Sequence, residues 1–214
     1  GFGRAEVFSL TPTKPLVAGE GGLVATDDDD LAHAVRIGRD YANPGDYDTQ
    51  FVGLNGRMSE LHAAVALASL EHLDEHLAVR RELAARYVDG LATVPGVAVQ
   101  VVDAADESTY KDFTIAIDAA TFGVDRDAFV SVLRAEGVDT RCYFDPPVHR
   151  QHAYVAHVAD TGVLERTDRA AASVVSLPIY PSLAPDVVDR IVAIARSVHA
   201  CAADVGDALG AATS

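Results

Sequence analysis

Lys14 stands between Pro12 and Pro15, in a loop that follows the apolar run Ala5 to Leu10 and precedes the turn Gly19-Glu20-Gly21-Gly22. Prolines restrict the backbone on both sides of it. Such pinning suits a lysine whose amine must be aimed, because nucleophilic lysines attack carbonyl compounds from defined, shielded positions. The competing reading is a solvated loop lysine beside a hairpin, the ordinary state of lysine. Other residues also have chemistry to offer. Ser9 precedes Lys14 by five positions, Asn55 and Arg57 sit in Gly53-Leu54-Asn55-Gly56-Arg57, and Tyr110, Lys111, Tyr143, His149 and His152 fall in the second half. Read alone, Ser9 is a strand-end hydroxyl and Asn55 a turn residue ahead of Gly56. Arg57 is either an anion ligand or half of a salt bridge, and His149 is a loop ligand or a packed or surface histidine.

The elements that must hold these residues follow from the pattern. Ala5 to Leu10 reads as a buried strand, and Leu23-Val24-Ala25-Thr26 as its short successor. The acidic run Asp27 to Asp30 precedes a helix over 31–40. Carboxylates there cap free N–H groups and complement the helix dipole. A calcium loop is the alternative, but the alternating ligand spacing is missing. Tyr41 to Asn55 is loop, with a turn at Asn43-Pro44-Gly45. Ser59 then caps one long helix to about Leu91. Its apolar face is Leu61, Val65, Leu73, Leu77, Ala84, Tyr87 and Leu91, and Arg80, Arg81, Glu82 and Arg86 are expected on its solvent side. Ala63 to Leu70 is expected to be buried nearly all round. Pro95-Gly96 ends the helix and marks a domain boundary, giving domains of 1–95 and 96–214.

The second half alternates. Strands are expected at Val97–Val102, Asp112–Asp118 and Val138–Phe144. Helices are expected at Asp125–Glu136, closed by Gly137, and at about 165–175. An extended, Pro-bounded Leu177 to Leu183 leads to a last helix from Pro185 to about Ala203. The tail from Gly206 is expected to fray. This order fits a compact α+β unit with an antiparallel sheet.

The 214 residues are 49% hydrophobic and 23% charged, enough apolar matter for a real core. The net charge of −15 argues against a nucleic-acid partner, which needs clustered Lys and Arg. Two cysteines, Cys142 and Cys201, make no disulfide or metal framework, and they fit a reducing cytoplasm. No metal site is expected. No apolar run has the length of a membrane span and no signal pattern opens the chain, so no membrane partner is expected. The chain opens on Gly1-Phe2-Gly3 and enters a strand pattern by residue 5, so it is expected to be the C-terminal part of a longer protein.

Several motifs, in order and at fitting separations, carry a resemblance. They are Ser9-x4-Lys14 with Gly19-Glu20-Gly21-Gly22, the run Gly53 to Ala64, Arg80-Arg81 with Tyr87, and Ser176-Leu177-Pro178-Ile179-Tyr180-Pro181. Together they resemble the DegT/DnrJ/EryC1/StrS family of pyridoxal-phosphate-dependent sugar aminotransferases. The resemblance implies an α/β chain of fold type I: the end of the cofactor-binding large domain, then a small α+β domain.

The resemblance also implies roles. Lys14 matches the lysine that holds the aldehyde of pyridoxal 5'-phosphate, and Ser9 the serine that binds its phosphate. Asn55 matches the asparagine that reaches the phosphate in the neighbouring subunit, so a homodimer with shared sites is implied. Arg57, Tyr143 and His149 are candidates for substrate contact. Many relatives carry an aromatic–His pair where Tyr110-Lys111 stands, and Lys111 is given no role. The implied reaction passes an amino group, typically from glutamate, to a nucleotide-linked keto-sugar. Related dehydratases carry histidine in place of the lysine, so Lys14 points to amino transfer. The family's pyridinium-pairing carboxylate, ring-covering aromatic and small-residue phosphate pair precede its lysine and have no counterpart in these residues. The chain alone is therefore expected to hold the cofactor weakly and to be inactive. The competing class is a non-catalytic remnant or half-chain serving as a dimerisation or binding module.

Overall fold

The computed structural model describes residues 3–157 and 163–212. The chain forms two compact units, Gly1–His76 and Leu77–Ser214.

In the first unit, β1 (Glu6–Ser9) and β2 (Gly22–Ala25) pair antiparallel, with Glu6 opposite Ala25 and Ser9 opposite Gly22. The lysine loop is the connection between them. β1 is not the buried strand that its apolar run predicts: Val7 and Phe8 are exposed. A two-stranded ribbon has two open faces, and burying either needs a further layer. Helix α1 (Asp29–Gly38) starts at Asp28, whose Oδ1 accepts from the Leu31 N–H at 3.0 Å. One aspartate of the acidic run is thus the cap that the sequence predicts.

Ser59 caps α2 (Glu60–Glu71), and α3 (Leu73–Leu91) follows. The single long helix expected here is broken at His72, whose φ of −107° and ψ of 3° leave the helical region. Neither Pro nor Gly marks the break. His76 N–H bonds back to the His72 carbonyl at 3.0 Å, so the apolar rhythm runs on across it. The expectation of a wrapped Ala63–Leu70 is also corrected. No residue of α2 is fully buried, and Leu61 is 81% exposed. An apolar helix left open is a surface awaiting cover.

The second unit takes over within α3, where Leu83, Ala84, Tyr87 and Leu91 enter its core. The sequence reading put a boundary later, at Pro95-Gly96. Strands β3 (Val97–Val99), β4 (Phe113–Ile117) and β5 (Val174–Leu177) form an antiparallel sheet in that order. Phe113 pairs with Leu177 and Val97 with Ile117. Phe113, Ile115 and Ile117 alternate inward, as the period of a strand requires. The Tyr87 and Phe113 rings stack at 4.7 Å. The short α4 (Ala119–Phe122) and α5 (Arg126–Ala135) follow β4, and Asp125 caps α5. After α6 (Glu165–Ser173) and β5, α7 (Pro185–Ala200) and α8 (Ala202–Ala212) pack with α5.

Three element expectations are overturned here. Val138–Phe144 is not a strand; only an isolated bridge joins Arg141 to Ser176. The third strand is instead β5, where the sequence read the end of a helix. The tail expected to fray from Gly206 is helical to Ala212, anchored by Ala202 and Val205 against the core. Among the described residues, no helix is long and apolar enough to cross a membrane.

Candidate functional site

The lysine loop is closed on itself. Leu10 N–H bonds to the Gly21 carbonyl at 3.0 Å and Ala18 N–H to the Leu10 carbonyl at 2.8 Å, with Leu10 and Ala18 buried. Val17 N–H donates to Ser69 Oγ on α2 at 3.1 Å, which ties down the far side of the loop. Gly21 has φ of +123°, and an added Cβ would lie 2.5 Å from Met58 Cε, so only glycine suits the turn. Within this frame Lys14 N–H bonds to the Thr11 carbonyl at 3.0 Å, and Ser9 Oγ lies 3.4 Å from Thr11 Oγ1. Lys14 is half-buried and, among the described residues, its amine has no ion-pair partner. A primary amine without a competing carboxylate can take a carbonyl carbon, and the pair of hydroxyls carried by the same segment can take an anion. Thr11 was missed by the sequence reading. Its signal was there, a hydroxyl two residues past Ser9.

The Asn55 loop is built differently. Asn55 bridges to Asp40, Leu54 N–H bonds to the Gly38 carbonyl at 2.7 Å, and Gly56 N–H to the Arg39 carbonyl at 2.8 Å. The chain crosses itself so tightly that a side chain at Gly53 would collide with the backbone of Tyr41 and Ala42. Arg57 pairs with Asp40 at 3.0 Å, donates to Asn55 Oδ1 at 3.3 Å, and lies 5.5 Å from the Tyr41 ring centre. Arg57 therefore has the salt bridge that its structural reading called for. Asn55 is exposed, and neither it nor Arg57 bonds to Ser9 or Lys14 in this chain.

In the second unit, Tyr143 and His149 line one cavity of about 720 Å³, with Thr114, Phe144, Tyr154 and Val174 among its other walls. Its lining is chiefly apolar with a few polar groups, the usual make-up of a small-molecule site. His149 is 14% exposed at its side chain, and its Nε2 lies 2.8 Å from Asp168 Oδ1. Asp168 also takes two bonds from Arg150, at 2.7 and 2.6 Å. The Arg150 guanidinium first, and His149 with it, hold the Asp168 carboxyl below its ordinary range. Lys111 Nζ lies 5.3 Å from the Tyr143 ring centre and 2.6 Å from Asp112 Oδ2. His152 is exposed. Among the described residues no cluster of His, Cys, Asp and Glu is arranged to hold a metal ion.

The mixed sheet-and-helix architecture is that of fold type I, shared with solved sugar aminotransferases that depend on pyridoxal phosphate. The chain belongs to the DegT/DnrJ/EryC1/StrS aminotransferase family, whose family model matches residues 1–196. The dTDP-3-amino-3,4,6-trideoxy-alpha-D-glucose transaminase of Streptomyces venezuelae is 35% identical over 190 residues, 88% of this chain and 48% of that protein. The solved structure of DesI in the presence of its TDP-sugar product matches with a TM-score of 0.85 at 37% identity, over 93% of this chain and 50% of that one. S. venezuelae DesV in complex with a ketimine intermediate matches with a TM-score of 0.85 at 34% identity, over 92% of this chain and 52% of that one. The chain thus spans about half the length of the relatives it matches. The family's cofactor is pyridoxal phosphate. The unpaired Lys14 amine and the adjacent Ser9 and Thr11 hydroxyls fit its aldehyde and phosphate ends.

Proposed function

We propose that this chain serves an aminotransferase that passes an amino group, from a donor such as glutamate, to the ketone of a nucleotide-linked keto-sugar. The observation that carries this reading is the lysine loop: a closed turn that carries an amine free of carboxylates and, at its start, two hydroxyls 3.4 Å apart. The sugar transaminase similar over 88% of the chain supports the substrate class.

Pyridoxal phosphate supplies the electron sink that stabilises charge at the substrate carbon. Lys14 Nζ would hold the cofactor's aldehyde end and serve as the base for the proton at the carbon that carries nitrogen, and Ser9 Oγ and Thr11 Oγ1 would hold its phosphate. The cavity at Tyr143 and His149 receives the sugar, its apolar walls excluding water while the Tyr143 hydroxyl and His149 ring meet hydroxyl groups. Arg57 stands ready for an acidic group of the substrate once Asp40 releases it.

Asn55 reaches the cofactor phosphate of a second subunit, so the working form is a homodimer with shared sites. The exposed Asn55 and the open apolar surface of α2 support this. Residues 1–95 belong to the cofactor-binding domain and 96–214 to a small domain. A cytoplasmic setting accords with two free thiols, Cys142 and Cys201.

The test is spectroscopic. Pyridoxal phosphate added to the protein gives a visible absorption band, and borohydride followed by peptide mapping fixes the label on Lys14. A band that persists in Lys14→Ala, or a label elsewhere, overturns the reading.

A further inference from the structure

Arg126 is a cation of the second unit that the functional reading leaves unused, and its side chain is only 3% exposed. It donates from Nε to Asp127 Oδ1 at 2.6 Å and from Nη2 to Asp145 Oδ2 at 2.5 Å. Its Nη1 donates to the carbonyls of Ala171 at 3.0 Å and Val174 at 3.1 Å. The planar fork of arginine holds several acceptors in fixed directions, which a lysine cannot reproduce.

What those acceptors belong to gives the contact its meaning. Asp145 directly follows Tyr143 and Phe144 and precedes Pro147, Val148 and His149, all of which line the cavity. Ala171 and Val174 line the same cavity from α6 and β5. One guanidinium therefore joins two segments of the wall without lining the cavity itself. Farther along, Asp168 of α6 holds His149 and Arg150, at 2.8 Å and at 2.7 and 2.6 Å. The stretch from Tyr143 to Arg150 is pinned to the α6–β5 wall at two points.

We propose that Arg126 is a positioning residue for the ligand of this cavity, setting the placement of the Tyr143–His149 wall through Asp145. The proposal rests on the reading that the cavity receives the keto-sugar. Removing Asp145 takes one acceptor from the buried Arg126, which keeps Asp127 and the carbonyls of Ala171 and Val174. Asp127 touches the same guanidinium but is 79% exposed and on α5, away from the wall, which makes it the control.

The experiment uses the holoenzyme with Asp145→Ala, Asp145→Asn and Asp127→Asn. Asp145→Ala raises the KM for a nucleotide-linked keto-sugar about tenfold, while kcat and KM of the half-reaction with the amino donor stay unchanged. Asp145→Asn, which keeps an oxygen acceptor, restores part of the loss, and Asp127→Asn matches wild type. Amide hydrogen exchange without ligand gives a second readout: residues 143–151 exchange faster in Asp145→Ala and not in Asp127→Asn. The proposal is overturned if Asp145→Ala and the Asp127→Asn control behave alike, if donor and keto-sugar rates fall together, or if exchange over 143–151 does not change. If wild type accepts no keto-sugar, the functional reading fails, and the exchange comparison alone decides for or against the clamp.

Discussion

Arg80 on α3 donates from Nη1 to the carbonyl of Ile179 at 2.8 Å, and from the same nitrogen to the carbonyls of Tyr110 at 3.0 Å and Lys111 at 3.4 Å. The residue is 7% exposed, although the sequence places it among the solvent-side cations of its helix. It joins the helix to the segment after β5 and to the turn before β4. Removing a charged donor strands three carbonyls, so Arg80→Ala should lower stability by about 3 kcal/mol. All three bonds leave one nitrogen, so Arg80→Lys should recover part of this. Urea unfolding midpoints of the two variants check both statements.

Two turns farther on, Tyr87 donates its hydroxyl to the Pro178 carbonyl at 3.0 Å. Burial pushes its pKa well above the ordinary phenol value of 10.0. The sign is that of a group neutral in the folded state. Its contribution is fully present below pH 10.0 and is lost as the pH rises from there toward the raised folded value. Stability should therefore fall on the alkaline side. Tyr87→Phe should cost about 1 kcal/mol at neutral pH and flatten that decline. Denaturation curves from pH 8 upward, roughly a unit apart, measure it.

Arg80 also shows what the sequence could and could not reveal. Helix starts were legible because caps act locally: Asp28, Ser59 and Asp125 each bond an N–H within three residues. The lysine loop was legible for a similar reason, since prolines and glycines constrain their own backbone. Arg80 was not, because its acceptors lie about 30 and 99 residues away and no neighbour announces them. Strand β5 was hidden likewise. Val174–Leu177 follows α6 with no breaker, and only its pairing with Phe113–Ala116 makes it a strand. The tail was misread from Gly206 and Gly210, whereas Ala202 and Val205 pack on the core and hold α8. At the site, Lys14 and Ser9 were singled out by a family resemblance and not by spacing alone, while Arg126 had no such pointer, since its contacts are Asp145 and two remote carbonyls.

The open surface of α2 leads to a prediction about assembly. Leu61, Val65, Leu67 and Leu70 are all exposed in the single chain, though the helix carries scarcely a charge between Glu60 and Glu71. If this surface is covered in the homodimer, Leu67→Lys places an ammonium in a dry interface, at a cost of several kcal/mol. Light scattering after size exclusion should change from a dimeric to a monomeric mass. Glu82→Lys, on the exposed side of α3, should leave the mass unchanged.

The shared site can be tested without knowing the sugar. If Lys14 serves one subunit's cofactor and Asn55 the other's, then Lys14→Ala and Asn55→Ala homodimers each have two defective sites. Lys14→Ala abolishes the band fixed by borohydride. Asn55→Ala loses a phosphate donor and should weaken cofactor binding about tenfold, or roughly 1.4 kcal/mol. A heterodimer of the two variants is asymmetric: one site draws Lys14 from the Asn55→Ala chain and Asn55 from the Lys14→Ala chain, and the other site has neither. Random remixing makes about half of all dimers mixed, so about one quarter of the sites regain full function. Denaturing and refolding the two variants together, at limiting pyridoxal phosphate, should restore that fraction of the wild-type band. Refolding each alone should not. Sites contained within single subunits would give no gain on mixing, and that result would remove Asn55 from the neighbour's cofactor.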